Sequence, residues 1–533
     1  MTISITADGG APGEPLVHFW STCVGAGRAA EGLRAGWQEQ LQLVADAAGF
    51  GYVRFHGLLH DDMFVHRREP DGTDVHNFQY VDDLFDRLLD AGVRPFVELG
   101  FSPPDMAREQ GTTFWWKANG APPTDLDGWA ELIRRLAEHW IARYGADEVR
   151  TWYFEVWNEP NLGPFFRGSK SEYFALYGAT AGALKRADQG LRVGGPATSN
   201  FVPDGRFAGE HEDVSQHAIV REAEDLDALE WRPVWLQDFL TYCHQRGLPV
   251  DFVSCHPYPT DWALDGHGVH QQHTRAADAT TRDLRTLREL VDNSPYPDAE
   301  IHLTEWNSSP SSRDHTHDYP QAATFVVKAN LESIGLVDSL AYWVFTDVFE
   351  EAGAGDTAFH GGFGMITFQG VPKPVFHAYR MLNRLGDELL ARTDGAVVTR
   401  HSATGGLAAL AYHYPPEVTQ APPGSFGGRE TAERILATGS PRRLRVELAG
   451  LRPGASVTIE TLDARNGNAL PIWQAMGAPD SPSRQQTALL REAGRSVRHV
   501  VQQADEQGRF LFDEEVRPWS VVLVHQPVPG RSR

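Results

Sequence analysis

Two short stretches place a carboxylic acid where an apolar run gives out: WNEP carries Glu159 and TEWN carries Glu305. In each, an apolar segment is followed by a glutamate and then by an aromatic or proline-bearing loop. One such acid alone reads as a helix cap or a salt-bridge partner. Two in the same pattern, from distant parts of the chain, read as a pair of carboxyl groups flanking one bond. Such a pair suits glycosidic cleavage: one acid donates a proton to the leaving oxygen, and the other attacks the anomeric carbon or activates water to do so. Asn158 directly precedes Glu159, and its amide is available to donate to a sugar 2-hydroxyl. Phe114, Trp115, Trp116, Trp306, Trp343 and Phe349 gather in the same regions, and flat rings stack on the apolar C–H faces of sugars. The FWWK stretch from Phe114 to Lys117 follows a Gly-Thr-Thr turn. Three exposed aromatics there would be costly without a ligand, so FWWK, with Trp116, reads as a subsite wall. Trp152 and Tyr153, inside an apolar run, read as core.

Bringing the two acids together requires a scaffold, and the hydrophobic pattern describes one. Eight short apolar runs alternate with amphipathic segments: LVHFWSTCVG, GYVRFHG, RPFVELG, WYFEVWNEP, LRVGGPATS, VDFVSCHPY, EIHLTEWN and SLAYWVFTD. Between them lie helical periodicities. In DLDGWAELIRRLAEHWIARYG, Trp129, Leu132, Ile133, Leu136 and Trp140 recur at helical spacing. In PQAATFVVKANLESIG, Gly335 reads as the cap. Strands that alternate with helices give parallel βα units. Eight of them predict a (β/α)8 TIM barrel of class α/β, with a doubly wound sheet as the runner-up. In such a barrel the C-terminal strand ends form the active face. The runs end in Arg54 and His56, in Glu98, in Asn158 and Glu159, in His256 and Tyr258, in Glu305, Trp306 and Asn307, and in Trp343, Asp347, Glu350 and Glu351.

The pattern changes near residue 390. VVTRHSA, LAALAYHY, RLRVELAG, SVTIETLD, GRFLFDEE and WSVVLVHQ are short strands with turns between them, and PPEVTQAPPGSFGGRE reads as a loop. The expected organisation is an N-terminal segment, 1–15, packing on a β-sandwich; a catalytic barrel, 16–390; and an appended C-terminal β-sandwich, 391–533. A second long loop, roughly 202–232, is acidic. The formal charge of −23 disfavours nucleic acid as a partner and leaves uncharged sugars open. The three cysteines, Cys23, Cys243 and Cys255, are too few and uneven for a disulfide framework, and Cys23 and Cys255, in apolar strand-like runs, read as buried thiols. MTISITADGG has no basic segment followed by an apolar run, so no secretory signal is read and the expected compartment is cytoplasmic, or periplasmic or secreted if a leader precedes this sequence. No apolar run reaches the roughly 18 residues of a membrane span.

FWSTCVGAGR, YVRFHGLLHDDM, FVELGFSP, DFVSCHPYP and YWVFTDVFEE join WNEPN and TEWN in an order that resembles glycoside hydrolase family 39, most closely its β-xylosidases, over about residues 16 to 390. WNEP alone would mark only the wider clan of retaining barrel glycosidases. The resemblance implies that Glu159 is the general acid/base and Glu305 the nucleophile. It implies that Asn158 binds the 2-hydroxyl, that His256 and Tyr258 bind substrate or orient the carboxylates, and that Glu350 and Glu351 hold sugar hydroxyls over Trp343. Arg54 or His56 would reach the nucleophile or the substrate. The implied activity is an exo-acting β-D-xylosidase that releases xylose from xylo-oligosaccharides by double displacement, without a cofactor. A homo-oligomer stays open. The family's α-L-iduronidases recognise a uronate, which the two acids Glu350 and Glu351 would repel. In a retaining enzyme the carboxyl groups lie ~5–5.5 Å apart, and Glu305 then raises the pKa of Glu159 so that it holds a proton.

Other readings are weaker. After Gly25-x-Gly27 the third glycine is misplaced for a dinucleotide loop, and no acidic strand-end partner follows at about 20 residues. His267, His270 and His273, like His315 and His317, read as polar loops rather than as a metal cluster. Asn307-Ser308-Ser309 fits a glycosylation acceptor by rule but adjoins Glu305. A sugar-binding protein without catalysis would drop one carboxylate. A metal-dependent barrel would place His-x-His on the first strand, where HFW stands. β-Glucosidase or arabinosidase activity is the nearest competitor within the glycosidases.

Overall fold

The computed structural model describes residues 2–203, 212–213, 231–261, 273–422 and 428–527. His267 and His270 lie outside them, as does most of the acidic 202–232 loop. His273 falls in a two-residue strand, His273–Thr274, paired with Thr260–Asp261.

Eight parallel strands close into one barrel. They are β1 (Cys23–Arg28), β2 (Tyr52–His56), β3 (Arg94–Leu99), β4 (Tyr153–Val156), β5 (Arg192–Thr198), β6 (Phe252–Cys255), β7 (Glu300–Trp306) and β8 (Ser339–Tyr342). A helix follows each: α1 (Ala35–Ala48), α2 (Gln79–Asp90), α3 (Leu126–Tyr144), α4 (Lys170–Ala187), α5 (Val234–Arg246), α6 (Ala279–Asp292), α7 (Pro320–Glu332) and α8 (Pro374–Leu382). Helix α3 shows why the segments fold so. Asp125 caps its start by accepting from the Asp127 and Gly128 amides, and Trp129, Leu132, Ile133, Leu136 and Trp140 are all buried on its inner face.

Two expectations shift. β1 begins at Cys23, because Phe19–Ser21 winds into a short 3-10 turn that buries its rings instead of extending. α7 ends at Glu332 with Ser333 as its cap, and Gly335 takes up the left-handed turn two residues later.

Strand alternation sorts the barrel interior into layers. Cys23, Phe96, Tyr153, Phe252 and Ala341 form an apolar floor. Two residues further along their strands, at the same inward positions, stand Glu98 and Glu155, beside Arg54 of β2 and Thr304 of β7. One more step reaches His56 and the loops after β4, β6 and β7. The barrel therefore carries a buried polar layer between its floor and its mouth.

Beyond α8 two sheets face each other. The larger has strand order Glu14–Pro15, Glu388–Thr393, Ala396–Arg400, Leu407–His413, Ser520–His525, Ser456–Leu462, Arg498–Gln503. The smaller joins the N-terminal strand Ile3–Asp8 to Arg442–Ala449 and Phe510–Val516. Ile3, Ile5, Val398, Ala409, Leu444, Val446, Phe512 and Val524 form the core between them. Glu388–Thr393 and Arg498–Gln503 escaped the sequence reading. The latter is exposed at every position, so it shows no alternation. The stretch read as a loop ends in a helix, Gly428–Leu436, and the mostly polar segment before Arg498–Gln503 also folds as a helix, Arg484–Arg495.

Candidate active site

The mouth of the barrel brings Glu159 and Glu305 together. Oxygens of both and a ring nitrogen of His256 all lie within 4.8 Å of one another. Both acids are nearly buried, at 6% and 8% exposure. The chain after β4 is bent to achieve this. Trp157 (φ 71°) and Glu159 (φ 45°) adopt the left-handed conformation, which costs a non-glycine residue about 1–3 kcal/mol. Hydrogen bonds hold the bend: the Trp157 amide donates to Leu99 O at 3.1 Å and the Glu159 amide to Ala197 O at 2.8 Å.

Glu305 receives donors on both oxygens. Tyr258 Oη donates to Oε1 at 2.6 Å, and Arg54 Nη1 to Oε2 at 3.3 Å. Tyr258 is itself fixed by its amide, which donates to Asn200 Oδ1 at 2.5 Å. Burial, and then Glu305, keep the Tyr258 phenol well above its ordinary pKa, so it remains a donor. Burial raises the Glu305 carboxyl to about 7, against the pull of Arg54 and His56. Burial and the neighbouring Glu305 charge push Glu159 well above the carboxylate range, and its Oε1 lies 3.1 Å from His256 Nδ1. The single shared proton of the pair therefore resides on Glu159.

Arg54 is the hub beneath them. Fully buried, it bonds Glu155 Oε2 at 2.7 Å, Glu98 Oε2 at 3.0 Å and Asn158 Oδ1 at 2.8 Å as well as the nucleophile candidate. Expected to reach the nucleophile or the substrate, it bonds the nucleophile candidate and two further carboxylates, with its guanidinium shut inside the barrel. By taking Asn158 Oδ1 it leaves the NH2 as that residue's donating end. His56 Nδ1 sits 2.5 Å from Glu98 and Nε2 3.5 Å from Glu351. Burial opposes its charge, but Glu98 and Glu351 outweigh burial and lift the imidazole to about 10, so it is a cation at neutral pH. Trp343 is buried against His56, with ring centroids 4.8 Å apart, and against Arg54.

The two acids after β8 separate. Glu351 faces His56. Glu350 is claimed by Arg28 at 2.8 Å and Arg34 at 2.7 Å; burial opposes its charge, but the two guanidinium groups outweigh burial and hold it below its ordinary pKa. With Arg28 and Arg34 on Glu350 and His56 beside Glu351, the site is less acidic than the two carboxyl groups alone, and their repulsion of a uronate is correspondingly weaker. Of the three aromatics in FWWK, only Trp115 is exposed, at 63%. Trp116 is buried, stacked on Phe114 and beneath Arg28, which corrects its placement on an exposed wall. Asn307 is buried and donates to Trp343 O at 2.6 Å, inaccessible to a glycan. All three cysteines are buried free thiols.

Sequence reasoning missed Glu155 and Thr304. The available signal was a polar residue inside an apolar strand, Glu155 in FEV and Thr304 in HLT, at the inward register of residues already chosen. The Glu159–His256–Glu305 convergence has the spacing of a cation site, but hydrogen bonds among protein groups already occupy these atoms, so the trio fits an acid–base pair and not a ligand set.

The family model described as Glycosyl hydrolases family 39 matches residues 1–216 and 226–510. The chain belongs to glycoside hydrolase family 39. This hydrolase is 35% identical to a beta-xylosidase of Caldicellulosiruptor saccharolyticus over 95% of its length and 94% of the relative's. It is 36% identical to a beta-xylosidase of Geobacillus stearothermophilus, over 90% and 87%. Among solved structures, a monomeric beta-xylosidase from Caulobacter crescentus CB15 superposes with a TM-score of 0.82 at 31% identity, covering 99% of this chain and all of that one. The hydrolase is a TIM-barrel glycosidase with an appended sandwich. No described helix is long and apolar enough to cross a membrane.

Proposed function

We propose that the hydrolase is a retaining, exo-acting β-D-xylosidase that removes xylose from the non-reducing end of xylo-oligosaccharides. The observation that carries the retaining assignment is the approach of the two carboxyl groups to within 4.8 Å. Retaining pairs stand ~5–5.5 Å apart, whereas inverting pairs need ~6.5–9.5 Å to admit water between acid and base. Glu305, held anionic by Tyr258 and Arg54, attacks the anomeric carbon while Glu159 gives its proton to the leaving oxygen. Attack neutralises Glu305, the pKa of Glu159 falls, and Glu159 then accepts the proton of the water that opens the glycosyl-enzyme. The depth of the pair supports a chain end as substrate rather than a chain interior. Asn158, His56 and Glu351 offer donors and an acceptor to hydroxyls, and Trp343 an apolar face. The names of the relatives at 35% and 36% identity support xylose as the glycone.

The test is a panel of aryl xyloside, arabinoside, glucoside and iduronide, with the anomer of the first-formed sugar followed by proton NMR. The xyloside should be cleaved fastest with β-xylose appearing first. First-formed α-xylose would reject the retaining mechanism, and a faster glucoside or iduronide would reject the glycone.

A further inference from the structure

Beneath the acid/base a chain of three hydrogen bonds crosses the barrel. Glu159 Oε1 lies 3.1 Å from His256 Nδ1, His256 Nε2 lies 3.0 Å from Thr304 Oγ1, and Thr304 Oγ1 donates to Glu155 Oε1 at 2.7 Å. Every member is buried. The direction of each bond follows from counting protons. Glu155 is ion-paired through its other oxygen to Arg54, so it only accepts. The Thr304 hydroxyl has one proton, and that proton goes to Glu155. Thr304 Oγ1 can therefore only accept from His256, which puts the ring proton on Nε2. The neutral ring then presents a bare lone pair at Nδ1, and the matching donor across 3.1 Å is the carboxylic O–H of Glu159.

We infer that Thr304 is a positioning residue for the acid/base: by spending its proton on Glu155 it locks His256 in the tautomer that accepts from, and cannot donate to, Glu159. The inference rests on the reading of Glu159 as the acid. Its chemical effect is one of sign. A lone pair facing Glu159 favours the protonated carboxyl and disfavours the carboxylate, so it keeps the acid loaded before glycosylation and makes the carboxylate a stronger base after it. His256 neither gains nor loses a proton. The Glu159 proton passes to the leaving oxygen as the glycosidic bond breaks and the Glu305–carbon bond forms, and it is replaced from water in the second step.

The surroundings agree. The groups facing His256 are Glu159, Glu305 (Oε2 at 3.7 Å), Thr304, and Arg54 and His56 from β2. Those acting on Glu159 are Glu305, His56, Arg54 and Glu351. Burial, then the two cationic groups of β2, hold the His256 imidazole well below its ordinary pKa, so a second ring proton is disfavoured and the tautomer question is decided by Thr304.

The test compares wild type, Thr304→Val and Thr304→Ser in the pH dependence of kcat/KM on a poor-leaving-group aryl xyloside, with Glu159→Gln as control. Valine cannot accept from Nε2, so the ring is free to move its proton to Nδ1 and stabilise the Glu159 carboxylate. The alkaline limb should fall by about one to two pH units, the worth of one hydrogen bond to a charged group, and serine should restore it. A 2,4-dinitrophenyl xyloside, which needs no proton on its leaving group, should show no such shift. An unmoved limb in an active Thr304→Val enzyme would overturn the inference. If the limb also survives in Glu159→Gln, the parent assignment of Glu159 has failed instead. Should the valine variant not fold, long-range 1H–15N spectra of wild-type histidines, with His256 assigned by loss of its signals in His256→Gln, read the tautomer directly. A proton on Nε2 alone supports the inference, and a proton on Nδ1 defeats it.

Discussion

At the scale of single residues, the site is two carboxyl groups made unequal by what touches them. Glu305 meets a phenol and a guanidinium, while Glu159 meets a neutral imidazole and an anion. Removing the acid should therefore cost according to the leaving group. Glu159→Ala should lower kcat/KM by about 10²- to 10⁴-fold on a phenyl xyloside and far less on a dinitrophenyl xyloside. Added azide should restore turnover and yield the β-xylosyl azide, identified by NMR. The pH profile of the wild type follows from the same inequality. In the proposed mechanism Glu305 works as the anion, and burial lifts its carboxyl to about 7, so activity should fall on acidification well above the pH at which a free glutamate protonates. On the same proposal Glu159 works protonated, and the alkaline limb should belong to it. Kinetics from pH 4 to 10 check both, and an acid limb near pH 4 would contradict the burial assigned to Glu305. Glu159, Glu305 and Asn158 were legible because acids and amides at strand ends are chemically conspicuous. Thr304 and Glu155 were not, since their importance lies in which of them gives a proton and which accepts it, and a proton count needs neighbours.

At the scale of elements, the segment after β8 is the one that most needs an anchor, because it carries Trp343, Glu350 and Glu351 without regular structure. The anchor is Lys373, at the start of α8. Its ammonium is fully buried and bonds Asp318 at 2.9 Å, Asp347 at 2.8 Å and Gly362 O at 2.9 Å. Burial opposes the charge on Asp318, but Lys373 overrides it and keeps the carboxyl well below its ordinary pKa. Lys373→Met would strand two buried carboxylates, at a cost of about 3–5 kcal/mol in denaturant unfolding, with KM for the xyloside rising as the segment loosens. The Asp318 share of stability is present above the pKa of a free aspartate and is lost as pH falls through its depressed folded value, so the ion cluster should resist mild acid. A variant as stable as wild type would show that the cluster is not an anchor. Periodicity located the barrel strands and the helices between them well. It failed at Phe19–Ser21 and Arg498–Gln503, where a turn buries rings and a strand buries nothing, so neither carries the pattern that a one-sided core imposes.

At the scale of the whole molecule, barrel and sandwich share apolar packing. Tyr412, Trp519, Val521 and Leu523 of the sandwich belong to the same buried cluster as the barrel core, and Tyr412 Oη donates to Glu332 of α7 at 2.9 Å. Far-UV circular dichroism and tryptophan fluorescence should therefore melt together, and two resolved transitions would refute the shared core. The N-terminal strand completes the smaller sheet: Ile5 is 2% exposed there, and Ile5→Ala should cost about 2–5 kcal/mol of stability while leaving kcat/KM of the folded enzyme unchanged. Removing a strand-forming side chain so far from the barrel mouth should move a melting curve and not a rate.

The chain on its own determined the alternation of strands and helices, the change to sheet near its last third, and the two acids, since hydrophobic period and residue chemistry are local properties written along the backbone. Only the tertiary structure decided that the two acids sit unequally beside their neighbours, that Arg54 bonds Glu98, Glu155 and Glu305 inside the barrel, that Glu350 is paired with Arg28 and Arg34, and that Trp116 is buried while Trp115 is exposed. Those outcomes depend on burial and on neighbours far away in the chain, and through-space electrostatics is invisible until the chain has folded.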